Sequence, residues 1–332
     1  METRKNSDKR KKFFTFLPYL ILIIIWAVVP LFPFLSTRFW LNVFIIVFTK
    51  SIGAVGLRTL SLSGAPSFAH GAFVGIGGYT AAIIANNLGL PAYLTIPAGA
   101  IIATVIGVVT GFPFMRLRSV YYVMASMFLG IAIVYVFSAL KIAGGMIGIT
   151  YIPGLFRNMK TYYYFFLALT VASCAIMYRF EFSRIGVTLN ALSQSPDAAA
   201  AMGVNGAYFR LLAVGVGCFF AGLSGAAFAH YNSSLSPNSF GMLPTLWFIM
   251  YIMVGGQDKF IGPILGAIIL VIIPQASRSI GEWAPFATAI VMVLAAYLLP
   301  GGLASIPEVV KRAVNKRRER RAAALQGAER GD

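Results

Sequence analysis

Few side chains in this sequence can do chemistry, and those few stand apart inside long apolar runs. Lys50 lies in such a run, where a lysine near a helix centre costs roughly 2.5–3.5 kcal/mol on insertion scales. Three uses fit it: reaching back to an interface, pairing with a carboxylate on another chain, or meeting an anionic group on a passing solute. Ser67, His70, Tyr79 and Thr80 put hydroxyls and an imidazole on a glycine-rich stretch. A polar solute crossing an apolar layer needs such transient partners; alternatively, the hydroxyls bond backbone carbonyls and His70 is a satisfied structural group. Tyr231, Asn232 and Ser236 form a polar stretch that reads either as an external mouth or as a plain loop.

No residues have the spacing of a catalytic site. There are two histidines, no HExxH and no phosphate-cradling GxxxxGK[ST] loop. No Asp or Glu occurs between Asp8 and Glu181. Ion-coupled carriers place carboxylates within the membrane as coupling groups. The expectation is therefore no enzyme, no metal site, no cofactor, and no ATP hydrolysis or ion coupling on this chain. An integral-membrane enzyme is disfavoured on the same grounds.

The elements that hold these residues are set by composition. Of 332 residues, 58% are hydrophobic and 11% charged, against roughly 25% charged in soluble domains. That excludes a soluble globular, disordered or disulfide-stapled protein. The net charge of +17 comes from basic ends and missing acids. Six basic residues fall within 1–12 and eight between Lys311 and Arg330. Basic flanks around apolar spans suit anionic lipid. Nucleic acid is not expected as a partner, since that would need basic and aromatic residues on one exposed face.

Apolar runs of about 20 residues can cross a bilayer. The fold class expected is all-α, a polytopic helical membrane bundle. Ten spans are placed near 14–34, 40–58, 67–86, 92–112, 119–140, 161–178, 209–229, 240–256, 260–276 and 284–303, within a range of eight to eleven. The run at 13–35 is too long for a signal peptide and has no small-residue cleavage site, so it reads as a retained span. Lys and Arg concentrate on the cytoplasmic side of membrane proteins. With both termini cytoplasmic, 21 lie on or beside cytoplasmic segments and five outside. The organisation is a basic tail (1–12), a transmembrane domain (13–306) and a second basic tail (307–332).

Gly71/Gly75, Gly107/Gly111 and Gly262/Gly266 have the GxxxG spacing of closely packed membrane helices. Cys174 and Cys218 fall within spans as small packing residues. The longest internal loop is 180–207. Within it Ser195 suits an N-cap, Pro196 the first helical position, Asp197 the positive end of the dipole and Gly203 the stop. A soluble motor could dock there; an ordinary loop helix fits equally.

The ordered set of motifs resembles one family, the LivM-type permease subunits of branched-chain amino acid ABC transporters. Residues 67–82 (SFAHGAFVGIGGYTAA) are similar to its SLGHAAFFGIGAYTAA stretch, and 116–121 (RLRSVY) to RLRGIY. Gly203-Val204-Asn205 with 209–213 (FRLLA) resembles GIN…YKLLAF, 221–226 (AGLSGA) resembles AGLAGA, and 236–240 (SPNSF) resembles SPDSF. Residues 254–256, 262–267 and 299–303 complete a likeness running from about 18 to 306.

The resemblance implies an importer in the inner membrane. It implies a homologous second permease, two cytoplasmic ATP-binding subunits and an extracytoplasmic solute-binding protein. The solute would be a branched-chain or related amino acid, and 180–207 the coupling loop, with Ser195, Asp197, Ala200 and Gly203 at its centre. Ala200 stands where a Glu is usual, and Ala143 to Gly148 have lost the polar residues that flank the family's Gly-Gly pair. Relatives of the family carry urea, nucleosides, simple sugars or aromatic acids, so another small solute is an alternative. A stand-alone channel or uniporter for a neutral solute is another.

Overall fold

The computed structural model describes residues 37–64, 67–115, 117, 119–277 and 302–305, with isolated positions between 26 and 32 and between 281 and 293. Among them are ten helices: α1 (Arg38–Ser61), α2 (His70–Leu88), α3 (Ala92–Phe114), α4 (Ser119–Ala139), α5 (Met159–Glu181), α6 (Arg184–Gln194), α7 (Pro196–Ala201), α8 (Gly206–Asn232), α9 (Met242–Gly255) and α10 (Gly262–Ala276). Two-residue strands β1 (Ile149–Thr150) and β2 (Ser234–Leu235) pair antiparallel, Ile149 opposite Leu235. The expected spans from 40–58 to 260–276 fall on α1–α5 and α8–α10. The first and last, and the tails 1–12 and 307–332, lie wholly or largely outside the described residues.

Six helical stretches among the described residues are long and apolar enough to cross a membrane: Arg38–Ser61, Ala92–Phe114, Val120–Ala139, Met159–Glu181, Gly206–Asn232 and Pro237–Gly255. α2 has the length but not the hydropathy, because it is built largely of glycine, alanine and polar residues. It is buried along most of its length, so it needs no lipid-facing side chains.

The chain forms two compact units, Met1–Thr245 and Leu246–Asp332. In the first, helix α3 shows how the packing works. Gly99, Ala103, Gly107 and Gly111 make a buried stripe at four-residue spacing. Ile101, Val105, Val109 and Phe112 make an exposed one. Lipid offers no hydrophobic drive between helices, so small residues turn inward to bring backbones close and large ones face the hydrocarbon.

At the centre, α2, α3 and α8 touch backbone to backbone. A Cβ on Gly77 would run into Gly222, one on Gly99 into the carbonyl of Gly77, and one on Gly225 into the carbonyl of Val74. Gly107 faces Cys218 on α8, which accounts for the fully buried thiol. Hydrogen bonds tie α1 to its neighbours. Ser224 Oγ donates to Thr49 O (2.8 Å), Thr170 Oγ1 to Phe48 O (3.3 Å), and His70 Nε2 meets Gly53 O (2.8 Å).

Two non-helical segments enter this unit. One follows α4 and carries left-handed Gly144, Gly145 and Gly148; the other follows α8. At Gly148 φ is +86°, and a Cβ would strike the Leu235 carbonyl, so strand β2 can approach only a glycine. The second segment packs against the middle of α2: Phe240 lies on Gly75, and its ring is 6.0 Å from that of Tyr79. Irregular backbone at this depth is tolerated where protein covers it or a cavity adjoins it.

In the second unit, Gly266 of α10 abuts the Tyr251 carbonyl and Gly262 abuts Gly256. Lys259 Nζ donates to Ala304 O at 2.9 Å. The Gly262/Gly266 pair thus makes the close helix contact that its spacing predicts.

Candidate functional site

Where the irregular segments meet α1, α2 and α8, they leave a cavity of about 580 Å³. Thr49 and Lys50 reach it from α1, Val74 from α2, and Ser224, Phe228 and Asn232 from α8. Ile147, Thr150, Ser234, Leu235, Ser236, Ser239 and Phe240 supply the rest of the described wall. The side-chain types explain the site. Hydroxyls within apolar helices bond a preceding carbonyl, as Thr49 Oγ1 does to Ile45 O (2.9 Å), and so stay buried at small cost. Lys50 Nζ stands 5.7 Å from the centroid of the Phe228 ring, a cation–π contact. Asn232 Nδ2 donates to Ser234 O (2.7 Å), closing the turn after α8. The arrangement is a cavity with both polar and apolar side chains in its wall.

Of the residues singled out from sequence, Lys50, Asn232 and Ser236 line this cavity. Ser67, His70, Tyr79, Thr80 and Tyr231 do not. Ser67 Oγ accepts from Ala69 N (3.3 Å) in the turn into α2. His70 is buried and held by Gly53. Tyr79 stacks on Phe137 (4.3 Å between centroids), and its hydroxyl has no hydrogen-bond partner among the described residues. Thr80 is half-buried. The Tyr231 hydroxyl donates to Asn42 Oδ1 at 2.5 Å, toward α1 and α5. Sequence reading passed over Thr49, Ser224, Ser234 and Ser239. Ser224 carried a signal, as an isolated polar residue within a predicted span, and Thr49 another, as a hydroxyl beside Lys50.

His230 is another residue the sequence left unassigned. It is fully buried near the end of α8. Its Nε2 lies 2.6 Å from Thr95 Oγ1 and its Nδ1 2.7 Å from Pro153 O. It therefore joins α3, α8 and the segment before α5, beside the cavity's Asn232. His230→Phe is expected to cost about 2 kcal/mol, the penalty for leaving buried polar groups unsatisfied. A lowered thermal midpoint of the purified protein, without loss of helical signal, is the check.

At the opposite end of the helices lies the 180–207 loop, which folds into α6 and α7. Ser195 Oγ accepts from Ala198 N (3.4 Å), Pro196 and Asp197 fill the first turn, and the helix ends at Ala201. Gly203 (φ +81°) and Val204 return their N–H groups to Ala200 O and Ala199 O, which closes a Schellman stop. Ser195, Asp197, Ala200 and Gly203 are all exposed, and Met202 beside them is 85% exposed.

Helix α6 was not expected from sequence, although Ser183 caps it and Leu189 and Leu192 form its buried side. It packs on the helix ends: Gly186 against the Glu181 carbonyl, Ser193 against Gly64, and Leu192 against Gly206. Beside it an ion pair ties α1 to α5. Arg58 Nη2 donates to Glu181 Oε1 (2.7 Å) and Arg58 Nε to Oε2 (3.0 Å), with the side chains 4% and 14% exposed.

Long apolar helices, close glycine packing and a polar cavity bordered by irregular backbone define a multi-pass membrane transport component. The sequence matches the family described as "Branched-chain amino acid transport system / permease component" over residues 39–299, and the chain belongs to that family. It is 27% identical to the high-affinity branched-chain amino acid transport system permease protein LivM of Escherichia coli (strain K12), over 90% of this chain and 76% of that protein. It is 25% identical to the LivM protein of Salmonella typhimurium (strain LT2) over the same shares. No solved structure matches significantly.

Proposed function

We propose that this chain is the membrane-spanning permease subunit of an ABC importer for branched-chain or related amino acids. It forms the translocation path with a homologous second permease. Energy comes from two cytoplasmic ATP-binding subunits, and an extracytoplasmic solute-binding protein delivers the substrate. The α6–α7 end is then cytoplasmic, in keeping with Arg179, Arg184 and Arg210 at that end, and the cavity opens toward the outside.

The observation that carries this reading is a mechanical continuity. Helices α1 and α8 line the cavity through Thr49, Lys50, Ser224, Phe228 and Asn232. The same two helices, joined by α5, bear on α6 at their other ends. A force applied by an ATPase to the exposed α7 passes through α6 into the helices that enclose the solute, which is what alternating access requires. The residues of this chain transfer no groups. They enclose the solute and present it to one side at a time.

The test is purification of the chain from its native membrane. Co-purifying ATP-binding subunits, with ATP hydrolysis stimulated by substrate-loaded binding protein, are expected. A chain that purifies alone and conducts solute down its gradient would be a uniporter.

A further inference from the structure

We infer that the cavity holds its solute by a carboxylate, with Lys50, Ser236 and Ser239 as the anion subsite and the Phe240–Leu235 wall receiving an apolar side chain. This rests on the permease reading and names the group that the site recognises. Lys50 is the one cationic side chain among the described lining residues, and no described lining residue is acidic.

The neighbouring hydroxyls divide into two sets. Those of Thr49 and Ser224 are spent on backbone carbonyls. Ser236 and Ser239 line the cavity, Ser236 makes no side-chain cap to the turn it begins, and no hydrogen bond of either hydroxyl is found among the described residues, so both can donate to a bound anion. A carboxylate accepts several such bonds, and bonds to a charged group are the strong ones. Lys50 is also pinned in place: the carbonyl of the residue before it accepts from Ser224 on α8, and its ammonium lies over Phe228. Val74, Ile147, Leu235 and Phe240 give the same cavity an apolar part of its wall. A small acid with one apolar branch matches both halves, and 580 Å³ falls within the usual range for a small-ligand site, about 300–1,000 Å³.

The test uses membranes containing the whole transporter, with Cys174 and Cys218 replaced by alanine and Ser234→Cys, at a lining residue outside the proposed subsite, as the reporter. Alkylation of that cysteine by N-ethylmaleimide is followed with L-leucine or with L-leucinamide, which lacks the carboxylate. Leucine is expected to slow alkylation and leucinamide not to. In Lys50→Met, the leucine concentration that protects is expected to rise on the order of 10- to 100-fold, and Lys50→Arg should recover most of that loss. Equal protection by leucinamide, or protection unchanged in Lys50→Met, overturns the carboxylate subsite alone. So does absent protection in a transporter that takes up leucine. Absence of leucine uptake by the unaltered transporter overturns the amino-acid reading and the subsite together.

Discussion

Glu181→Ala is expected to destabilise the protein by about 1.5–3 kcal/mol, because it removes the charge-assisted hydrogen bonds that Arg58 Nη2 and Nε make to the carboxylate. Arg58→Met should cost a similar amount for the reciprocal reason. The double replacement Arg58→Met/Glu181→Leu should be milder than either single change, since a buried pair exchanged for apolar side chains of similar size is often neutral. Equilibrium unfolding of the four proteins in detergent gives the coupling directly. Additive losses would show that the pair contributes nothing as a pair. The functional consequence is specific as well. The pair binds α1 to α5 beside α6, so the double variant should fold, and a transporter assembled with it should move less solute for each ATP that the proposed ATP-binding subunits hydrolyse.

Gly225→Ala is the second large effect expected. The added methyl falls on the Val74 carbonyl, and neither partner is the end of a flexible side chain. Overpacking of this kind costs typically 1–3 kcal/mol, and here the backbone contact puts it at the upper end. Helix α8 must shift away from α2 and take Ser224 and Phe228 of the cavity wall with it. Loss of both thermal stability and solute uptake is expected. Gly241→Ala is the control: its φ of −77° suits alanine, and its nearest neighbour is Asn238 O at 3.9 Å. Equal tolerance of the two substitutions would contradict the close packing of α2 on α8.

The helices were legible because an apolar run long enough to cross a bilayer is a strong signal, and their glycine spacing correctly marked close contacts. The Arg58–Glu181 pair was not legible. Its members are 123 residues apart, and each reads in sequence as an ordinary charge flanking a span. The polar stretch at 232–238 read as a loop, with a span starting at 240. Only the contact of Phe240 with Gly75 shows that Pro237–Phe240 turns against the middle of α2. That inward turn brings Ser236 and Ser239 to the cavity that Lys50 also lines. The site therefore depends on chain paths that neither periodicity nor composition encodes. Helix α7 was legible because Ser195, Pro196, Asp197 and Gly203 are local capping signals. Helix α6 was missed although Ser183, Leu189 and Leu192 spell the same kind of message.

The claim that the loop end drives the cavity end is tested most directly by leucine accumulation in proteoliposomes. Vesicles holding this chain with its second permease, its ATP-binding subunits and a leucine-loaded binding protein should concentrate leucine when ATP is supplied to the α6–α7 side, and vesicles holding this chain alone should pass none. Leucine flux through the chain alone, independent of ATP, would contradict the account.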